Sequence, residues 1–93
     1  MAKFMATLIL APVGEPLDRH ELLVKFIVQG EDGEEFAAEN YEESGVLVYK
    51  PVNFTVIPQV VEPQPDPNVK IELGQDCIMA ENAELKIKIL LGK

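Results

Sequence analysis

The 93 residues contain one cysteine, one histidine, one serine, one arginine and no tryptophan. Each shortage removes a class of chemistry. Cys77 alone cannot form an intramolecular disulfide, so the chain does not look built for an oxidising compartment. One Cys with one His is also too few for a transition-metal site. A Ser44, His20 and Asp triad would need a strained nucleophile turn, and Glu43-Ser44-Gly45 lacks the glycine pattern of one. A Cys77 and His20 pair is opposed by Asp76, whose carboxylate disfavours the thiolate. Carboxylates are plentiful, but a domain this small has little material to hold two of them across a cleft. The expectation is a protein that is not an enzyme, with no catalytic residue, no cofactor and no metal ligand.

Positive charge is also scarce, with 8 Lys and Arg against 16 Asp and Glu, a formal net charge of -8. That balance repels phosphate backbones and anionic lipid, so neither nucleic acid nor a membrane is the expected partner. Long apolar runs are missing too, and no window reaches the roughly 18 residues of a spanning helix. The opening MAKFMATLILAP places Lys3 before an apolar run, but Pro12 and Gly14 follow at once with no small-residue cleavage site. It is expected to be a first strand of a protein made in the cytoplasm, not a leader.

What the chain does have is alternation. In Glu84 to Leu91, Leu85, Ile87, Ile89 and Leu91 alternate with Lys86, Lys88 and Leu90, which gives a strand with one dry face. Lys3 to Leu10 carries apolar groups on both faces, which suggests a place inside a sheet or under a neighbouring molecule. Glu21 to Gln29, Val46 to Lys50, Asn53 to Val61, Val69 to Leu73 and Asp76 to Ala80 continue the pattern. Ile71 and Leu73 are expected to point inward with Val69. Pro58 marks an edge or a bulge. The alternate prolines of Glu62 to Asn68 suit a stiff, extended crossing between sheets.

Seven strand-like segments in one short chain indicate a single all-β domain over 1–93. The expected architecture is a small antiparallel β-sandwich with immunoglobulin-like or Greek-key connections, with a small β-barrel as the alternative. No Cys and Trp pattern makes an immunoglobulin assignment specific.

The most unusual stretch runs from Glu31 to Glu43, with seven acids and no Lys or Arg between Lys25 and Lys50. Charges this dense resist burial, so a solvated loop is expected, with a short helical turn around Phe36 to Asn40. Phe36 and Tyr41 interrupt it, and either pin it to the core or offer a contact surface. A protein partner is therefore expected at Glu31, Asp32, Glu34, Glu35, Phe36, Glu39, Tyr41, Glu42 and Glu43.

The function expected from these features is a non-enzymatic structural or interaction module, an accessory subunit of a larger assembly such as a virion or a phage-tail-like machine. Self-association is one form this could take. Two alternatives use the acidic stretch differently. One is an inhibitor that occupies the basic groove of a nucleic-acid-binding protein. The other is a calcium-dependent binding module, although EDGEE lacks the ligand spacing of an EF-hand.

Overall fold

Eight strands in two sheets make up the fold, as a computed structural model that describes residues 2–12, 21–30 and 36–92. The first sheet contains β1 (Ala2–Leu10), β2 (Leu22–Gly30) and β5 (Thr55–Val60), in the order β1-β2-β5. The second contains β3 (Ala38–Glu43), β4 (Val46–Pro51), β6 (Lys70–Leu73), β7 (Cys77–Glu81) and β8 (Lys86–Leu90), in the order β3-β4-β8-β7-β6. Every described pairing is antiparallel except β4 with β8. After β2 the chain crosses to make the β3–β4 hairpin, then returns to lay β5 beside β2. The two layers enclose one core, and the architecture is a small β-sandwich.

Strict alternation explains why β2 sits at the centre of its sheet. Leu22, Val24, Phe26 and Val28 point inward and are fully buried, while the residues between them remain half-buried. Across the core lie Ile78 and Ala80 of β7 and Ile87 and Ile89 of β8, all at 1% exposure or less. The dry face predicted for the last strand is therefore present. Truncating Phe26 to alanine in such packing costs about 3 to 5 kcal/mol.

The structure departs from the sequence expectations in four places. Residues 38–43 form a strand, not a solvated loop with a helical turn. The backbone of β3 is satisfied on one side by β4 while its side chains stay in water, so dense charge does not prevent pairing at a sheet edge. Ser44 and Gly45 close this hairpin with φ of 53° and 79°, the left-handed pair that a two-residue turn requires. Secondly, β1 is an edge strand, not an interior one; its inward Leu8 and Leu10 are buried, but Met5 and Ile9 are 58% and 60% exposed. Thirdly, Leu73 shares the inward face of its partner Ile78, as expected, but stays 51% exposed, because it ends the short edge strand β6. Fourthly, residues 62–68 bend and turn instead of running extended, with the Asp66 carboxylate accepting from the Asn68 N–H at 2.9 Å. They do carry the chain from one sheet to the other, as expected.

Pro58 lies on the edge strand β5. Phe26 pairs with Val60 and Val28 with Val56, so the β5 strand is irregular around the proline. The irregularity ends the ladder early, and a side chain continues it. The Lys25 N–H donates to Gln64 Oε1 at 2.8 Å, and Gln64 Nε2 donates to the Lys25 carbonyl at 3.1 Å. A primary amide thus takes the place of a strand's peptide group. At the opposite margin the Tyr49 hydroxyl accepts from the Ala11 N–H and donates to the Ala11 carbonyl, tying β4 to the end of β1.

Two substitutions test these closures. Tyr49→Phe keeps the buried ring and strands both backbone groups of Ala11, so a loss of about 1 to 3 kcal/mol is expected in denaturant melts. Gln64→Leu should cost a similar amount and speed amide exchange at Lys25 specifically.

Candidate functional site

The outer faces of the two sheets differ in charge. On the five-stranded sheet the register aligns Glu39 with Lys50, and Lys86 with Glu81 and then Lys70. Lys88 lies between Val48 and Met79, and Met79 faces Glu72. Glu43 completes this face, so four lysines meet four glutamates. Directly opposed charges of unlike sign favour the pairing. This face is mixed and balanced.

The outer face of the three-stranded sheet is different. It displays Lys3, Met5, Thr7 and Ile9 from β1, Leu23, Lys25, Ile27 and Gln29 from β2, and Thr55 from β5. No carboxylate appears on these strand positions, in a chain with 16 acids. Met5 pairs with Ile27 and Ile9 with Leu23, so the four apolar side chains form two cross-strand pairs on either side of Thr7 and Lys25. Sequence reasoning did not single them out as a site. The available signal was the apolar character of both faces of the first strand.

The described residues of the acidic stretch divide between the core and the two faces of β3. Glu31, Asp32, Glu34 and Glu35 lie outside the described residues, and the EDGEE calcium reading falls there with them. Phe36 is half-buried, stacked on Phe4 with ring centroids 5.6 Å apart and edge-on to Phe54 at 4.8 Å. It pins the stretch to the core. Glu39, Tyr41 and Glu43 share the outer face of β3, with Tyr41 46% exposed and opposite the buried Val48. Glu42 points to the other face, toward the level of the three-stranded sheet.

Between the two sheets, at the β1 and β3 margin, a groove of about 540 Å³ opens to solvent. Thr7 to Leu10 form one wall, Phe36 to Ala38 the other, and Tyr49, Pro51, Phe54 and Ile89 line the rest. Its surface is mostly hydrocarbon. Ser44 occupies the hairpin turn and Cys77 a half-buried position on the outer face of β7, while His20 lies outside the described residues. No group of three or more His, Cys, Asp or Glu side chains able to hold a metal occurs among the described residues.

Comparison of the chain with protein-family models, with characterised proteins and with solved structures gave no match.

The face assignments of β3 can be tested by charge reversal. Glu39→Lys sets two lysines directly opposite each other and should lower stability by up to about 1 kcal/mol. Glu42→Lys, on the other face, should change it by less than about 0.5 kcal/mol in the same melts.

Proposed function

We propose that this chain is a non-enzymatic interaction module, an accessory subunit that associates through the outer face of its three-stranded sheet. One observation carries the reading: Met5 and Ile9 stand 58% and 60% exposed beside Leu23 and Ile27, among outer strand positions that hold no carboxylate. Apolar side chains grouped on a strand face gain by burial, at about 25 cal/mol for each Å² covered. The lack of acids matters as much. Two molecules that each carry a charge of -8 repel over most of their surfaces, and on these strand positions no carboxylates oppose one another.

The same face suits a second copy of the chain or a lattice of other subunits. A small decoration or assembly protein of a virion or a phage-tail-like particle has this character, a compact sandwich with one adhesive side. The single Ser, His, Cys and Arg support a role without catalysis. The acidic margin at β3, with Glu39, Tyr41, Glu42 and Glu43, would then lie away from the adhesive face and remain open to a further contact.

Light scattering across a concentration series checks the proposal. A discrete oligomer that dissociates on dilution is expected, and raising the salt concentration should strengthen it by screening the net charge. Met5→Lys with Ile9→Lys should yield a monomer with little change in melting temperature, because both side chains are already exposed. A chain that stays monomeric throughout, or an oligomer that these lysines leave intact, would remove this face as the site of self-association.

A further inference from the structure

Resting on the reading of the chain as an interaction module, we infer that the groove between β1 and β3 receives one extended segment of a basic polypeptide, which pairs with the outer edge of β1 as a fourth strand. The layers themselves leave the room. Three strands face five, with β2 packed across from β7 and β5 across from β6. Stepping outward in the same order places β1 over β8, and no described strand lies above β4 and β3. The groove occupies that position, with Tyr49 and Pro51 of β4 and Ile89 of β8 lining its floor and β1 alongside.

The edge of β1 is oriented for pairing. Lys25 turns its N–H and carbonyl toward Gln64, on the β5 side of β2, and Lys25 is the partner of Thr7. In an antiparallel ladder a residue that does not exchange hydrogen bonds with its opposite number sends both backbone groups the other way. Thr7 therefore directs its N–H and carbonyl to the outer edge, and Met5 and Ile9 share that direction by the period of two. Ala11, two residues further, confirms it, because its two groups meet the Tyr49 hydroxyl. Tyr49 satisfies the last position of this edge. Thr7 and Ile9, the next two, line the groove without such a partner among the described residues.

Shape and charge select the occupant. A second copy cannot add edge to edge here, since β4 and β3 project beneath the vacant position and would collide with the other copy's β8. A lone strand has no sheet below it and fits. The apolar floor calls for apolar side chains on alternate residues of that strand. The chain carries a net charge of -8, so lysines or arginines suit the remaining, solvent-facing positions of that strand.

The test uses the full chain with a synthetic peptide of about six residues, the usual length of a strand, in which valine alternates with lysine. Binding is followed by fluorescence anisotropy and amide exchange by NMR. The expected result is saturable binding that slows exchange at Thr7 and Ile9 and leaves Lys25 unchanged. Glutamate in place of lysine should weaken it at least tenfold, and N-methylation of alternate peptide nitrogens should abolish it. Absence of binding at millimolar peptide, equal binding of the N-methylated peptide, or protection confined to the β5 or β6 edge would overturn the inference. Its failure is separable from that of the adhesive face. Leu23→Lys with Ile27→Lys, on the adhesive face of β2 and outside the groove, should abolish self-association and still bind the peptide.

Discussion

The packing of one strand against two others fixes the rest of this molecule. β2 presents Leu22, Val24, Phe26 and Val28 to Ile78, Ala80, Ile87 and Ile89, and every one of these side chains is lost to solvent. Eight buried apolar side chains in contact, seven of them large or branched, leave no freedom to slip the register. A one-residue shift would turn all four β2 residues into water and bring Leu23, Lys25, Ile27 and Gln29 inward, burying a lysine. Once β2 is seated, its neighbours β1 and β5 are seated with it, and the first sheet is complete at three strands. The second sheet needs five, because β3 and β6 are added by hairpins whose turns are local. The mismatch between three and five is a consequence of where the core lies, and it leaves a margin that the core does not cover.

Both margins of the three-stranded sheet are managed by side chains in place of strands. On the β5 side the Gln64 amide meets both backbone groups of Lys25, and on the β1 side the Tyr49 hydroxyl meets both backbone groups of Ala11. A carboxamide has a donor and an acceptor in the spacing of a peptide group, and a phenol combines the two functions on one atom. Each closes one residue only. Edge strands usually carry charge, proline or a bulge against unwanted pairing. β5 has its irregularity at Pro58, β3 has glutamates, and β6 is four residues long. β1 has none of these along Phe4 to Leu10. The undefended edge is the one that borders the groove.

The sequence carried the core plainly and the margins poorly, for a physical reason. Alternation reports which side of a strand is dry, so Ile87 and Ile89 or Val24 and Phe26 could be assigned from the pattern alone. The same pattern cannot report how many strands lie above a given one. Lys3 to Leu10 was apolar on both faces, which is equally true of a central strand and of an edge strand with an uncovered face, and only the pairing partners separate the two. β3 was missed for the opposite reason. Glu39, Glu42 and Glu43 suppress any apolar period, yet an edge strand needs only a backbone partner, and Ser44-Gly45 was the single local sign of the hairpin. Pro58 was informative because it acts on the backbone directly. Gln64 was not, because nothing in a glutamine announces that it will replace a peptide group 39 residues away.

Charge placement links the two surfaces that remain. The chain could have dispersed its 16 acids evenly, yet the outer strand positions of the three-stranded sheet hold none, while the five-stranded sheet balances glutamate against lysine row by row. Balance serves the stability of a solvated face, since each pair is worth little but like pairs would cost. Exclusion of acids serves no such purpose on a face that is already paired through its backbone. A lysine or glutamate at position 5 or 9 would be better solvated than Met5 or Ile9 and would also guard an edge strand against stray pairing. Folding alone therefore gives no reason to keep apolar residues there. The proposed burial against another surface would supply one, and would account for the methionine, the isoleucine and the missing carboxylates together.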